Sequence, residues 1–268
     1  MHQYVELHLH TCYSFLEGAS QPDELILRAL ELGYPALAIT DHDGLHGAME
    51  FAQACRAFGI QPITGAEMTL ISGEHITLIA ESREGYANLS RLITATYMES
   101  PRSDPRLDPA LLPLHSAGLI CLSGCRKSEI AAAIDRGDIA AAEAVAERFR
   151  TWFGAENYFL ELQHNLVYGD TPRCRALAEI GRRLAIPVVA TGNVHYHVRE
   201  RHRLQDAMVA IKHRSTLDGS HRERRPNSEF FLRTPEEMAE RFSEIPDAVA
   251  NTLVIAERAA DFDLTKDL

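Results

Sequence analysis

Basic residues are in deficit: the 268-residue chain carries 27 Lys and Arg against 38 Asp and Glu, a formal net charge of −11. That balance argues against a chain that binds nucleic acid non-specifically on its own, because such binding is driven by displacing counterions from phosphates with positive charge. Cysteine is scarce too. Cys12, Cys55, Cys121, Cys125 and Cys174 are an odd number at irregular spacing, so no disulfide framework is expected and free thiols in a reducing compartment are. Cys121 and Cys125 lack a second Cys or His pair at zinc-finger spacing, which argues against a closed structural zinc site. No apolar run approaches the ~20 residues that cross a bilayer. The opening Met-His-Gln-Tyr-Val-Glu has neither the basic nor the apolar section of a signal peptide. A cytoplasmic protein with no membrane partner is expected.

Apolar residues make up 46% of the chain, enough for one large α/β core. Short strand-like runs lie at Tyr4 to Leu9, Ala36 to Thr40, Gln61 to Ile63 with Met68 to Ile71, Ile76 to Ala80, Leu119 to Leu122, Tyr158 to Leu162 and Val188 to Ala190. Helical patterns separate them. The segment from Pro22 to Leu32 has Ser20 as its expected cap, Pro22 in its first turn and Gly33 as its stop. The alternation calls for parallel strands with helical crossovers, and about seven such units suggest a closed barrel ringed by helices. An open doubly wound sheet is the alternative, but the first strand is not followed by the Gly-x-Gly-x-x-Gly turn of a dinucleotide-binding sheet. Four prolines between Ser100 and Pro113 mark a loop excursion, and beyond Asn227 the pattern is wholly helical. The last residues, from Asp261, carry no stop signal, as in a piece of a longer protein.

Ligand-type side chains gather at the strand ends. His8 and His10 are one residue apart, so both rings of an extended segment face the same side and can reach one metal ion. Glu17 follows them; Thr40-Asp41-His42-Asp43 follows the second strand, and Gly65-Ala66-Glu67 closes the third. His75 opens the next strand, Cys125 follows Leu122, and Asn193 and His195 follow Ala190. Most of these positions are carboxyl ends, where barrel enzymes keep their chemistry. Individually each has a plainer reading. Asp41 could cap a helix, His75 could be a core histidine and Cys125 a small buried residue. A basic stretch with Arg203, Lys212, His213, Arg214, Arg222, Arg224 and Arg225 fits a solvated loop and helix face or a phosphate-contact surface.

His-Leu-His-Thr-x-x-Ser-Phe-Leu-Glu-Gly-Ala-Ser (8 to 20), Ala-Ile-Thr-Asp-His-Asp-Gly-Leu-His-Gly (38 to 47), Gly-Ala-Glu (65 to 67), Leu-Ser-Gly-Cys (122 to 125) and Thr-Gly-Asn-Val-His-Tyr (191 to 196) together resemble the polymerase and histidinol phosphatase (PHP) family. Within it, Leu-Ile-Ala-Glu-Ser-Arg-Glu-Gly-Tyr-Ala-Asn-Leu (78 to 89) and Leu-Gln-Asp-Ala-Met-Val-Ala-Ile (204 to 211) are similar to the amino-terminal domain of bacterial DNA polymerase III α subunits, particularly the error-prone branch. The resemblance implies a distorted seven-stranded (β/α) barrel over residues 1–197. A helical extension over 198–268 would pack on it or lead toward a polymerase core. It also implies up to three divalent metals, zinc, manganese or iron. His8, His10, Glu67 and Asn193 would hold the first, Glu67, His75 and Cys125 the second, and Glu17, His42 and His195 the third. The catalytic set would be His8, His10, His42, Glu67 and His195. A bridging carboxylate suits two cations that activate a shared water and clamp a phosphoryl oxygen.

Two positions depart from the family pattern: Asn193, where Asp is usual, withdraws a negative charge, and Glu17, where His or Asp is usual, keeps an oxygen donor on a longer arm. Asp41 and Asp43 flank His42 and could orient it; His164 and His197 near other strand ends could meet substrate phosphate. The implied activity is a metal-dependent phosphoesterase acting on a DNA 3′ end, a 3′ to 5′ exonuclease with proofreading as its purpose. The alternatives are a metal-stabilised module without catalysis, favoured by Asn193, and a small-molecule phosphatase. Polymerisation itself is not expected of this chain, which leaves only about 70 residues after the barrel.

Overall fold

Six strands form one curled sheet in sequence order: β1 (Ala36–Ile39), β2 (Gln61–Thr69), β3 (His75–Ala80), β4 (Leu119–Leu122), β5 (Tyr158–Gln163) and β6 (Val188–Thr191). The computed structural model describes residues 2–101 and 103–268, so Arg102 of the proline-rich excursion lies outside the described residues. The N-terminal segment joins the two edges of the sheet. Glu6 bridges Leu37 of β1, and Leu9 bridges Val194 just past β6, with Ala38 N donating to Glu6 O at 3.0 Å and His10 N to Val194 O at 2.8 Å. The seventh stave thus closes a distorted barrel.

That stave is not a continuous strand, as the sequence pattern suggested, because the chain bends at His8. The Glu6 carboxylate takes the His8 amide at 2.9 Å and the Gly192 amide at 2.8 Å, so these amides bond a side chain and not a neighbouring strand. The bend shifts the alternation by one residue. Val5 and Leu7 share the inner apolar cluster, Leu9 belongs to the outer one, and His8 and His10 meet the residues of the barrel mouth.

The expected all-parallel order holds for β1 with β2, β4 with β5 and β5 with β6, but β3 runs antiparallel to both of its neighbours. Only a short turn separates Thr69 from His75, too short for the crossover that a parallel strand needs, so the chain makes a hairpin. The reversal puts the amino end of β3 beside the carboxyl ends of the others. His75 therefore stands opposite Thr69, two residues past Glu67, at the mouth.

Helices α1 (Pro22–Glu31), α2 (Ala48–Ala57), α3 (Arg83–Glu99), α4 (Glu129–Asp135), α5 (Ile139–Phe153) and α6 (Asp170–Leu184) alternate with the strands, and their apolar faces share one buried cluster with the outward strand residues. α1 is not capped by Ser20. Gln21 holds that position, its amide donating to Glu24 at 2.9 Å, while Ser20 Oγ accepts from the His197 amide at 3.0 Å. In the loop excursion, Leu107 bridges Leu70 and extends the end of β2.

The barrel interior is a second apolar cluster of Val5, Leu7, Ala36, Ala38, Ile63, Ile79, Ile120, Leu122, Phe159 and Val189, joined by Ile255 and Ala256 of α9 (Pro246–Arg258) and by Ala259 just after it. α9 closes the floor of the barrel. Before it come α7 (His202–Lys212), a non-helical stretch with Phe230 to Leu232 buried, and α8 (Pro235–Arg241). Tyr196 pairs with Phe231 across that stretch, a short extended contact where the sequence pattern suggested helix throughout. No helix among the described residues is long and apolar enough to cross a membrane.

A candidate metal centre at the barrel mouth

Glu67, two residues before the end of β2, is 1% exposed and has four imidazoles around its carboxylate. His8 Nε2 lies 3.3 Å from one oxygen and His75 Nδ1 3.2 Å from the same one; His10 Nε2 and His42 Nδ1 lie 3.5 and 3.1 Å from the other. Burial opposes the Glu67 charge, but His75, His42 and His8 outweigh it and hold the carboxyl well below the usual carboxylate range. The His10 and His42 rings stack with centroids 4.4 Å apart, and His195 lies tilted against His10 at 4.3 Å.

The backs of these rings are fixed. His8 Nδ1 lies 2.6 Å from Glu161, a carboxylate on the inward face of β5 that also accepts from Gln163 at 2.7 Å and from Thr191. Burial opposes a charge on His8, yet Glu161 and Glu67 push the ring up to about 10, so the position attracts a cation. His10 Nδ1 lies 3.1 Å from Ser14 Oγ, which donates at 2.6 Å to Asp41. His195 Nδ1 donates at 2.9 Å to its own neighbour, the Asn193 carbonyl. Burial and neighbouring groups hold both His10 and His195 well below the usual imidazole range, which leaves His10 Nε2 a lone pair for a ligand role, while His195 Nε2 accepts from Arg225 Nη2.

Four buried atoms in this cluster have no hydrogen-bond partner: His8 Nε2, His10 Nε2, Glu67 Oε1 and Asn193 Oδ1. Leaving such atoms unpaired in the interior is costly, and a divalent cation among nitrogen and oxygen donors would satisfy them. The residues fit a metal. Three groups bring their donor atoms within 4.8 Å of one another: His8 with His10 and Glu67, His42 with Glu67 and His75, and His10 with His42 and His195. Glu67 is shared by two of them, His42 also joins the Glu67 and His75 group, and His10 stands with His42 and His195 where the resemblance implied Glu17. Cys125 Sγ lies 3.7 Å from His75 Nδ1, its thiol pushed up by burial and by Glu67. Glu17 lies 2.8 Å from His42 Nε2 and also pairs with Lys212.

Glycine fixes the Cys125 corner. Gly124 has φ +90°, and a Cβ there would fall 2.1 Å from the His75 carbonyl oxygen, so any side chain would drive His75 and Cys125 apart. Asp41 does not cap α2, whose cap position is Gly47, and its carboxylate hydrogen-bonds Thr11 and Ser14, not the His42 ring. It acts on His10 through the serine. Asp43 binds the amide and hydroxyl of Thr69 at 2.7 and 2.8 Å and so ties the His42 loop to the end of β2. The structure brings neither His164 nor His197 into the cluster. His164 Nε2 meets Thr171 at 2.9 Å, and His197 Nδ1 meets Ser20 at 2.7 Å.

Glu161 and Ser14 are absent from the set drawn from sequence. Glu161 had a signal, a charge between Leu160 and Leu162 in an otherwise apolar strand; Ser14 sits in a loop where spacing says nothing.

Residues 6–165 match the family described as PHP domain. The chain belongs to the PHP domain family. This PHP chain is 44% identical over 271 residues to an error-prone DNA polymerase from Symbiobacterium thermophilum, a match covering 95% of the chain and 25% of that protein. It is 35% identical over 269 residues to the DNA polymerase III subunit alpha of Treponema pallidum, covering 95% of the chain and 23% of that protein. The chain thus spans about a quarter of the length of these curated relatives. Among solved structures it is similar to an amidohydrolase from Chromobacterium violaceum, with TM-score 0.51 and 14% identity over 72% of this chain and 88% of that one. A proposed metal-dependent phosphoesterase from Bifidobacterium adolescentis gives TM-score 0.50 and 16% identity, again over 72% of this chain and 88% of that one. At these identities the likeness shows a shared fold alone.

Proposed function

We propose that this chain is the PHP domain of an error-prone DNA polymerase III α-type protein and acts as a metal-dependent phosphoesterase on a DNA 3′ end. The observation that carries the reading is the ring of His8, His10, His42 and His75 around the buried Glu67 carboxylate, with unpaired donor atoms turned toward one another. His8, His10, Glu67 and Asn193 would hold one divalent ion, Glu67, His75 and Cys125 a second, and Glu17, His42 and His195 a third. Bound there, divalent metals supply Lewis acidity for a phosphoryl oxygen and activate a water nucleophile.

The chain's own residues prepare the centre. Glu161 and Ser14 fix which nitrogen of His8 and of His10 points inward, and Glu67 carries the negative charge that keeps cations together. A cavity of 390 Å³ opens over Glu67, His42 and His75, wide enough for a strand end or a small phosphoester. The reading includes a cytoplasmic setting, the polymerase core of the parent chain as neighbour and no membrane partner.

Asn193 favours a second reading, a metal-stabilised module without turnover, since an amide oxygen contributes no charge to the first site. Elemental analysis of the purified chain beside a His8→Ala/His10→Ala variant, with hydrolysis of a 3′-labelled oligonucleotide, decides between them. Two or three metal equivalents with hydrolysis lost in the variant is the expected result. Metal without turnover would favour the module, and a folded, metal-free protein under metal-replete conditions would overturn both.

A further inference from the structure

One arginine of the basic stretch reaches the metal-ligand cluster itself. Arg224 pairs with Asp206 at 2.9 Å and Lys212 with Glu17, but Arg225 has no ion pair with a carboxylate among the described residues. Its guanidinium donates through Nη2 to His195 Nε2 and lies over the Phe230 ring, Cζ 4.4 Å from the centroid. Its Nε is buried with no hydrogen-bond partner. A partly buried guanidinium with an unpartnered Nε and no carboxylate has donors to spare for an anion, and here it stands on the wall of the 390 Å³ cavity that Glu67 and His42 also line. Arg126 and Lys127, from the turn after β4, line the same cavity.

The planar fork of arginine has a geometry that grips two oxygens of one tetrahedral oxyanion, and aromatic stacking holds its plane in place. We propose that Arg225 is the phosphoryl-binding residue of this site, taking the non-bridging oxygens of a phosphoester seated in the cavity. This rests on the phosphoesterase reading for what is bound, though not on turnover. The loop from His213 to Glu229 then serves as the carrier that brings a positive charge to a mouth whose floor is rich in carboxylates. The chain can therefore be acidic overall and still receive a phosphate at this one place.

The test is binding of inorganic phosphate, followed by isothermal titration to wild type, Arg225→Gln and Arg225→Lys, each in metal-free and metal-loaded form, with metal content measured on the same samples. Arg222→Gln, an exposed change on the same loop, controls for total charge. Arg225→Gln is expected to weaken phosphate at least tenfold with metal content and melting temperature unchanged. Arg225→Lys should fall between, because it keeps the charge and loses the fork. Wild-type affinity in Arg225→Gln would overturn the proposal, and so would an equal loss in Arg222→Gln or a parallel loss of metal. Failure of the phosphoesterase reading appears separately, as absent metal or turnover with phosphate binding still dependent on Arg225. A second arm compares KM for a single-stranded oligonucleotide with a free 3′ end and for p-nitrophenyl phosphate. A rise confined to the oligonucleotide identifies the strand end as the source of the phosphoryl group, one confined to the monoester identifies a small phosphate, and no rise in either overturns the assignment.

Discussion

His8 Nδ1 and a carboxylate oxygen of Glu161 lie 2.6 Å apart beneath the cluster, both fully buried, so the ring that faces Glu67 is oriented from behind by β5, two staves away around the barrel. Replacing Glu161 by Gln keeps the volume and removes the charge that aligns the ring. Metal affinity is expected to fall about 10- to 100-fold. Titration of zinc or manganese into metal-free protein measures it, with circular dichroism to confirm the fold; an unchanged affinity would show that His8 needs no such partner.

Ser14 makes a separable prediction. Its Oγ lies 3.1 Å from His10 Nδ1, accepts from the His42 amide at 3.1 Å and donates to Asp41. Ser14→Ala leaves Asp41 still bonded to Thr11 but frees the His10 ring to choose its tautomer. The expected result is weaker metal binding by about tenfold with a melting temperature close to wild type in chelator. If chelator-treated Ser14→Ala unfolds several degrees early, the serine is holding the loop and not the ring.

Much of this was legible in the sequence because strand ends and ligand types coincide. His8, His10, His42, Glu67, His75 and His195 all fall in the cluster, and α1 (Pro22–Glu31) covers the segment read as a helix from Pro22 to Leu32. What was not legible depended on direction and phase. The reversal of β3 follows from hairpin geometry that an apolar run does not encode, and the bend at His8 follows from Glu6, whose side chain bonds two amides. Likewise, α9 reads as an ordinary amphipathic helix, and its place under the barrel comes from the match of Ile255 and Ala259 to a floor lined by Ala36 and Ala38.

Glu229 lies among three arginines, Arg199, Arg233 and Arg241, and ties the segment before α8 to α8 and to the turn that precedes α7. Burial opposes its charge, but Arg199 and then Arg233 and Arg241 hold the carboxyl below its ordinary value. A depressed carboxylate stabilises the fold fully above the unfolded pKa of about 4.3, and that contribution is lost as the pH falls through the lower folded value. Glu229→Gln leaves Arg233, whose side chain is 1% exposed, without its anion and should cost about 3 kcal/mol at neutral pH. Urea unfolding at pH 7 and pH 3 checks both parts: the gap between variant and wild type should shrink at the lower pH, and a constant gap would mean that packing, not charge, is involved.

Asn193 offers a gain and not a loss. Its backbone is left-handed, φ 49°, a conformation that Asn and Asp both tolerate, so Asn193→Asp changes charge with little strain. The Oδ1 atom has no hydrogen-bond partner, and Nδ2 reaches Gln163 at 3.3 Å, a long bond whose loss is minor. An aspartate here adds a negative charge to the cavity that Glu67 also lines. In chelator the variant should melt below wild type, because like charges then face each other in the interior. With divalent metal in excess the order should reverse, since a carboxylate binds a cation more tightly than an amide; a tenfold gain in affinity corresponds to about 1.4 kcal/mol of added stability at saturating metal. Thermal melts of both proteins across a metal titration read the crossing directly. Parallel curves without a crossing would remove position 193 from the ligand set and with it the reason to regard the first site as weakened.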